Sequence, residues 1–497
     1  NQGEVCCAGS RILVQEGIAK SFFAKLDARL AKLRIGDPLD KTMDMGAIVS
    51  QKQLARINGL IAEGEAQGAT LHRADAQMPA KGSFCAPGFF TGTEPAHTVS
   101  QVEIFGPIAT TATFRTPSEA VTLANDTRYG LAASVWSQTI DRAIEVAAKV
   151  KAGVVWINAT NLFDAGAAFG GYRESGYGRE GAREGLFEYL KPAQKGGKER
   201  FSLAIDMSVA PYTGKSDGPD IDVTSKLYIG GKQSRADAGQ SYTVMGKNGA
   251  LGQAALGSRK DIRNAVEAAA KATGWSAVTG HNRAQVLYFF AENLAQRRDE
   301  FVDALKATGA SKDAKAEVEA SVRRAFWYAA QADKFDGAVH STKSRHVTMA
   351  LNEPWGVMGI VCPDEAPLLS LVSLMLPSIA MGNRAVLIAS QSQPLIATKL
   401  YQVLETSDIP AGVVNIITGE SNNLSKTLAE HDEVASLWYC GTAEGSKMVE
   451  TASCGNLKPV WSDNGLLRDW FDPQVGQGSE YLRRATQVKT IWLPYGE

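Results

Sequence analysis

Cysteine is scarce in this chain, with six among 497 residues. Cys6, Cys7, Cys85, Cys362, Cys440 and Cys454 form no C-x-x-C pair and have no His partners at zinc spacing. That excludes a disulfide scaffold, and a reducing cytoplasm is the expected location. Cys6 and Cys7 are neighbours, so a bridge between them would need a strained turn. Histidine is equally rare: His72, His97, His281, His340, His346 and His431 are scattered and suggest no metal centre. Neither sign of charge is in excess. Lys and Arg number 52 against 53 Asp and Glu, a formal net charge of -1. No basic footprint for nucleic acid or for anionic lipid results. Long apolar runs are missing as well. The longest, Leu368 to Met381, is interrupted by Ser370, Ser373, Pro377 and Ser378 and is too short to span a bilayer. No signal-peptide pattern opens the chain.

What is present fits a soluble globular enzyme. Hydrophobic residues make up 44% and charged residues 21%, too apolar for a disordered chain. At roughly 150 residues per domain, the length suggests about three domains. Large cores can form without staples. The 48 glycines point to many tight strand–helix turns.

Periodicity gives an alternating pattern up to about residue 190. Helices are expected at Ile18–Leu33, Gln51–Gln67, Ser118–Asn125 and Ile140–Val150. Strands are expected at Ile108–Phe114, Leu131–Trp136 and Gly153–Ile157. This rhythm argues for a largely parallel sheet covered by helices. From Pro192 to Asp222 core residues thin out, which reads as a linker, although Phe201–Ile205 could pack locally. Beyond it come helices at Asp261–Ala272, Ala284–Ala307 and Ala316–Phe335. Alternating units follow, from the strand Gly356–Val361 to the strand Val434–Tyr439 and the turn Gly441–Ser446. Strand, glycine turn and helix make the doubly wound dinucleotide-binding arrangement, although the spacing is not G-x-G-x-x-G. A β-rich tail, Thr486–Leu493, ends the pattern.

Cys6 is the candidate for chemistry. Small residues flank it in Asn1-Gln2-Gly3-Glu4-Val5-Cys6-Cys7-Ala8-Gly9-Ser10, so a carbonyl could approach both the sulfur and the Cys6 amide. A thiolate beside an amide donor suits attack on a carbonyl and stabilisation of the oxyanion. A buried, inert cysteine is the alternative.

The motifs around it carry a resemblance. They are Asn-Gln-Gly-x-x-Cys at 1–6, Glu103-Ile104-Phe105-Gly106-Pro107, Trp156-Ile157-Asn158, Phe169-Gly170-Gly171-Tyr172-Arg173-Glu174-Ser175-Gly176 and Gly178-Arg179-Glu180. In order and spacing, this stretch resembles the aldehyde dehydrogenase superfamily. The resemblance implies that Cys6 is the catalytic nucleophile. It implies a thiohemiacetal with an aldehyde, hydride transfer to NAD (NADP is the alternative), a thioester on Cys6 and hydrolysis to the acid. Glu103 matches the residue that bonds the nicotinamide ribose, and Phe105 the one packed near the nicotinamide. Gln53 and Arg56 match weaker cofactor contacts. Phe163 and Phe169 match aromatics lining the substrate tunnel. Asn158 is expected to be structural, and no metal is implied.

The second half resembles the family's nucleotide-binding part, with departures. Glu365 stands in place of the oxyanion-hole Asn, Ile388 in place of the Lys that holds the adenosine ribose, Gln391 in place of a nearby Glu, and Asp463 in place of the general base. After Trp470 the family's whole catalytic domain would belong in the short gap before the tail. An active unit followed by a degenerate one is similar to the two-unit, family-sixteen aldehyde dehydrogenases. The chain opens without Met inside a motif. The resemblance would place the first unit's nucleotide-binding half, with its oxyanion Asn and general-base Glu, before Asn1.

The expected fold class is therefore α/β. A parallel-sheet catalytic domain (1–185) leads to an oligomerisation-arm-like segment (186–197) and a linker (198–222). A degenerate, doubly wound Rossmann-like domain (223–470) and an oligomerisation tail (471–497) follow. Glu188–Lys191 and Val488–Leu493 resemble the family's oligomerisation arm, which pairs edge to edge with a neighbour; pairing of one arm with the other inside the chain is the alternative, and two chains are expected to form a homodimer. The expected partner is a small-molecule aldehyde, with no nucleic acid and no membrane span. Two other readings compete: a non-catalytic scaffold or assembly protein with this fold, and a permuted enzyme in which the second unit supplies the nucleotide site.

Overall fold

A computed structural model describes residues 1–190, 198–200 and 224–495. The chain divides into two compact units that are not contiguous in sequence. The first comprises 1–189, 339–350 and 489–497, and the second comprises 190–338 and 351–488.

The first unit is built on two sheets. In one, Ile108–Phe114 pairs in parallel with Arg11–Gln15 on one side and Gly88–Thr91 on the other, and Thr70–Arg73 closes the edge antiparallel. The helix Gln51–Ala66 covers it. Ser50 caps that helix by accepting from the Gln53 amide. Its apolar stripe buries Ile57 and Ile61 among Phe90, Ile104 and Ile108. In the second, five-stranded sheet Val154–Ile157 pairs in parallel with Ala132–Val135. The expected helix Ile140–Val150 spans Ile140–Lys149 and buries Ala143 and Ala147.

The tail strand exists, as part of Thr486–Pro494, but its partner differs from the arm-to-arm pairing expected. Thr490, Ile491 and Trp492 pair in parallel with Val154, Val155 and Trp156. Trp492 and Trp156 share one core cluster, so burial of two large aromatics sets the register. Glu188–Leu190 form a turn after the helix Ala182–Phe187 rather than a strand, with Tyr189 N–H on Leu186 O at 3.1 Å. Lys191 lies outside the described residues.

The second unit is doubly wound. Its seven-stranded sheet runs Val460–Ser462, Val434–Tyr439, Val357–Val361, Arg384–Ile388, Val414–Ile417, Leu227–Ile229 and Lys232–Ser234. The first five are parallel and the last two are antiparallel. The helix Pro367–Ala380 is buried along its whole length, as its apolar residues on every face require. It packs with Gly280–Gln296 and Ala314–Gln331 on one face, while Arg259–Lys271 and Ser421–Glu430 cover the other. One expected helix, Ala284–Ala307, is two. The backbone leaves helical geometry at Arg297 (φ −98°, ψ 18°), and Arg298–Thr308 turns Phe301 and Leu305 into the core. Of the expected linker, Lys198–Arg200 are described, whereas 201–222, including Phe201–Ile205, lie outside the described residues. No helix among the described residues is long and apolar enough to cross a membrane.

Candidate active site

The thiol loop is a run of tight turns. Glu4 N–H bonds Asn1 O at 2.9 Å, Ala8 N–H bonds Val5 O at 3.0 Å and Ser10 N–H bonds Ala8 O at 2.8 Å. These turns leave Cys6 exposed, and its amide makes no hydrogen bond among the described residues. Gly3 fixes where the loop lies. Its φ is +77°, and a Cβ there would sit 2.0 Å from Gly106 O, so only glycine lets the loop rest on Glu103–Pro107. Glu4 ties down the other side, with Oε2 accepting from Gln2 Nε2 at 3.0 Å and from Val49 N–H at 3.1 Å.

Glu103 and Phe105 sit on that supporting loop. Phe105 holds a left-handed backbone, φ +55°, which a bulky residue adopts only under constraint. Gln53 and Arg56 supply the constraint. Gln53 Nε2 donates to Phe105 O at 2.9 Å, Arg56 Nη1 to Ile104 O at 2.9 Å and Arg56 Nη2 to Glu103 O at 3.0 Å. Both side chains are thus engaged with main-chain carbonyls of this loop. Burial raises the Glu103 carboxyl above the usual carboxylate range, against a smaller opposing pull from Arg56. Gly3, Ser10, Phe89, Glu103 and Phe105 line a hollow of about 240 Å³. Cys6 is not in its wall.

Cys7 differs from its neighbour. It packs on the Val154–Trp156–Trp492 cluster. Burial and the adjacent Cys6 push its thiol up. Phe169 leans on the same cluster and stacks at 5.1 Å between centroids with Phe163, which stands 5.9 Å from Trp156. Phe163 is 56% exposed. The two aromatics thus stand together at the sheet end that Cys7 also covers. Asn158 is structural in its bonding: its side chain accepts from Ser137 N–H at 2.8 Å and donates to Ser137 O at 2.9 Å.

In the second unit the divergent positions are engaged in local structure. Gln391 accepts from Ser421 N–H at 2.8 Å, and Ile388 is fully buried in its strand. Cys440 and Cys362 are buried. Burial pushes the Cys362 thiol up to about 12 and that of Cys440 well above its ordinary value, so neither is a ready nucleophile. Asp463 and Glu365 both bond Arg200. No group of His, Cys, Asp and Glu among the described residues is placed to hold a metal.

Sequence reasoning missed the Gly3–Gly106 contact, the Glu4 anchor and Arg200. The first joins positions about a hundred residues apart, and no local pattern announces it.

The aldehyde dehydrogenase family model matches residues 1–194 and 240–465. The chain belongs to the aldehyde dehydrogenase family. Over 189 residues it is 44% identical to an aldehyde dehydrogenase of Agaricus bisporus, covering 38% of each chain. It is 38% identical over 189 residues to betaine aldehyde dehydrogenase 2 of Rhizobium meliloti (strain 1021), covering 38% of this chain and 39% of the relative. The chain thus spans well under half the length of these curated relatives. Among solved structures, a putative aldehyde dehydrogenase from Burkholderia cenocepacia is similar at a TM-score of 0.47 and 26% identity, covering 48% of this chain and 50% of that one.

Proposed function

We propose that the first unit carries the thiol half of an NAD-dependent oxidation of an aldehyde to a carboxylic acid, with NADP as the alternative acceptor. The observation that supports this most directly is Cys6: an exposed thiol whose amide makes no hydrogen bond among the described residues, on a loop pressed by Gly3 onto the Glu103–Phe105 loop. The reaction also needs a nucleotide-binding half alongside this unit.

The residues present fit the nicotinamide end of a dinucleotide. A half-buried carboxylate, Glu103, and an aromatic, Phe105, meet beside an open hollow, and a carboxylate can accept both hydroxyls of a ribose diol. When bound, the dinucleotide accepts hydride. Glu103 would hold its ribose, Phe105 would flank its ring, and Gln53 and Arg56 would hold both in place through the loop carbonyls.

Cys6 loses its proton, and the thiolate adds to the aldehyde carbon, forming a C–S bond. The carbonyl oxygen takes the negative charge, which the Cys6 amide stabilises. Loss of hydride from that carbon leaves a thioester on Cys6. Water adds to the thioester, the C–S bond breaks, and carboxylic acid and thiol are released. Phe163 and Phe169 would wall the aldehyde's path.

The second unit is read as non-catalytic architecture. Its cysteines at Cys362 and Cys440 are buried and protonated, and its divergent positions bond within the fold. The test is aldehyde-dependent NADH formation by the protein with its nucleotide half present. Turnover is expected, and retained turnover in Cys6→Ser would reject the nucleophile assignment. A cytoplasmic homodimer is proposed with it, and sedimentation as a clean monomer at micromolar concentration would count against the dimer.

A further inference from the structure

The second unit's sheet reverses its strand order between Val357–Val361 and Val434–Tyr439. Doubly wound sheets take ligands beyond the carboxyl ends of their strands at such a switch point. Here the residues just past three neighbouring strand ends converge on one group. Glu365 follows Val357–Val361, Gly441 follows Val434–Tyr439, and Asp463 follows Val460–Ser462. All three hold the guanidinium of Arg200. Its Nη1 donates to Asp463 Oδ1 at 2.9 Å, to Asp463 Oδ2 at 3.1 Å and to Gly441 O at 2.9 Å. Its Nε donates to Glu365 Oε2 at 3.2 Å, and its Nη2 donates to Glu365 Oε1. This is fork-to-fork pairing on one carboxylate plus a bridge to a second.

The backbone delivers the side chain. Arg200 N–H bonds Gly465 O at 2.5 Å and Leu467 N–H bonds Lys198 O at 2.8 Å, around an antiparallel bridge between Glu199 and Leu466. The Arg200 side chain is 9% exposed and that of Asp463 is 1% exposed. Trp470 Nε1 reaches Glu365 at 3.5 Å. The helix start beside this cluster is already filled. Thr442 caps Ala443–Ala452, accepting from Gly445 N–H at 3.0 Å. The Tyr439 ring lies so close beneath that a Cβ on Gly445 would fall 1.7 Å from its hydroxyl oxygen. An incoming pyrophosphate would meet a satisfied cap, Glu444 in the first turn and the two carboxylates, with the cation spoken for.

We propose that the switch-point crevice of the second unit has become a guanidinium site, that Arg200 is its resident ligand supplied in cis, and that the crevice takes no dinucleotide. The proposal rests on this unit alone and is independent of the role of Cys6. Losing Arg200 strands two carboxylates, one of them fully buried, without a counterion.

The test is thermal unfolding of the full chain. Arg200→Ala is expected to lower the Tm of the transition that includes the second unit by roughly 6–15 °C. Millimolar ethylguanidinium is expected to restore much of that loss, ethylammonium at equal concentration to restore little, and the unsubstituted chain to respond to neither. Should Arg200→Ala fail to fold, its refolding yield with ethylguanidinium against ethylammonium reads the same contrast. Arg200→Lys, with a point charge in place of a fork, is expected to fall between. No loss in Tm, or equal rescue by the two cations, would overturn the site. Binding of NAD+ by Arg200→Ala in calorimetric titration would also overturn it, because the crevice would then be a blocked dinucleotide site.

Discussion

Both units place their distinctive groups on loops next to strands, yet they treat those groups in opposite ways. In the first unit the loop from Asn1 to Ser10 holds Cys6 toward solvent, and a hollow opens beside Glu103 and Phe105. In the second, the residues standing where the family has its oxyanion amide and general base face inward and close on Arg200. A reactive site keeps unsatisfied groups ready for substrate, such as the Cys6 amide. A structural crevice satisfies every strong donor and acceptor it buries, because an unpaired charge in a dry interior is costly. The two outcomes stand on different sheets of one family member, and in the second the delivered Arg200 closes the crevice.

The sharpest way to break the contrast is Cys6→Ser. Aldehyde-dependent NADH formation should fall by roughly a thousandfold or more, measured with the nucleotide half present. Persistent activity would move chemistry away from the open loop. Next comes Gly3→Ala. Its Cβ would meet a backbone oxygen at 2.0 Å in a left-handed conformation, so the loop must shift. The expected cost is about 1–3 kcal/mol of stability in the first unit, with turnover falling more than tenfold, while the second unit's unfolding is untouched.

Lys458 sharpens the picture of the filled unit. It is buried and donates to Ala429 O. Burial pulls its ammonium down to about 8 from its ordinary 10.5. Between those values the unfolded chain holds the proton and the folded chain releases it, so this group makes stability rise with pH across that window. Lys458→Met should flatten the rise, seen in denaturant melts taken from pH 8 to 10.5. An unchanged slope would assign the rise to other groups. The smallest expected effect is that of Cys7→Ala. Removing the thiol next to Cys6 should lower the rate by about threefold or less, and a loss as large as that of Cys6→Ser would exchange the roles of the two cysteines.

Much of this was legible before any coordinates. The strands Ile108–Phe114 and Val434–Tyr439 were read at their observed ends, because β-branched and aromatic runs bounded by turn residues carry their own punctuation. The largely apolar helix Pro367–Ala380 announced its burial. The hairpin Ser241–Gly246 with Gly249–Ala255 was not read. Its strands carry Gly, Gln and Ala, which fit a pleated surface only once a partner strand is present. The break at Arg297 escaped notice because the apolar spacing continues through it, from Leu294 to Phe301. Tail pairing was expected between arms, yet Trp492 found its place beside Trp156.

The resemblance named Cys6, Glu103, Phe105, Gln53, Arg56, Phe163 and Phe169, and the structure places Gln53 and Arg56 on the Glu103–Phe105 loop and Phe163 beside Phe169. What the sequence left open was their contacts: Gln53 and Arg56 bond the carbonyl oxygens of a loop whose Phe105 has a left-handed backbone, and Cys7 packs on the Val154–Trp156–Trp492 cluster. Arg200 lay in a stretch read as linker, where composition gave no hint of a buried cation.

The amino-acid order by itself determined the element types, the two-part organisation and the family, since these depend on local periodicity and on short motifs. Three-dimensional packing alone decided which thiol stays open, which carboxylates are neutralised and which strand the tail joins. Those outcomes depend on groups far apart along the chain meeting in a low-dielectric interior, where burial and pairing set the energy.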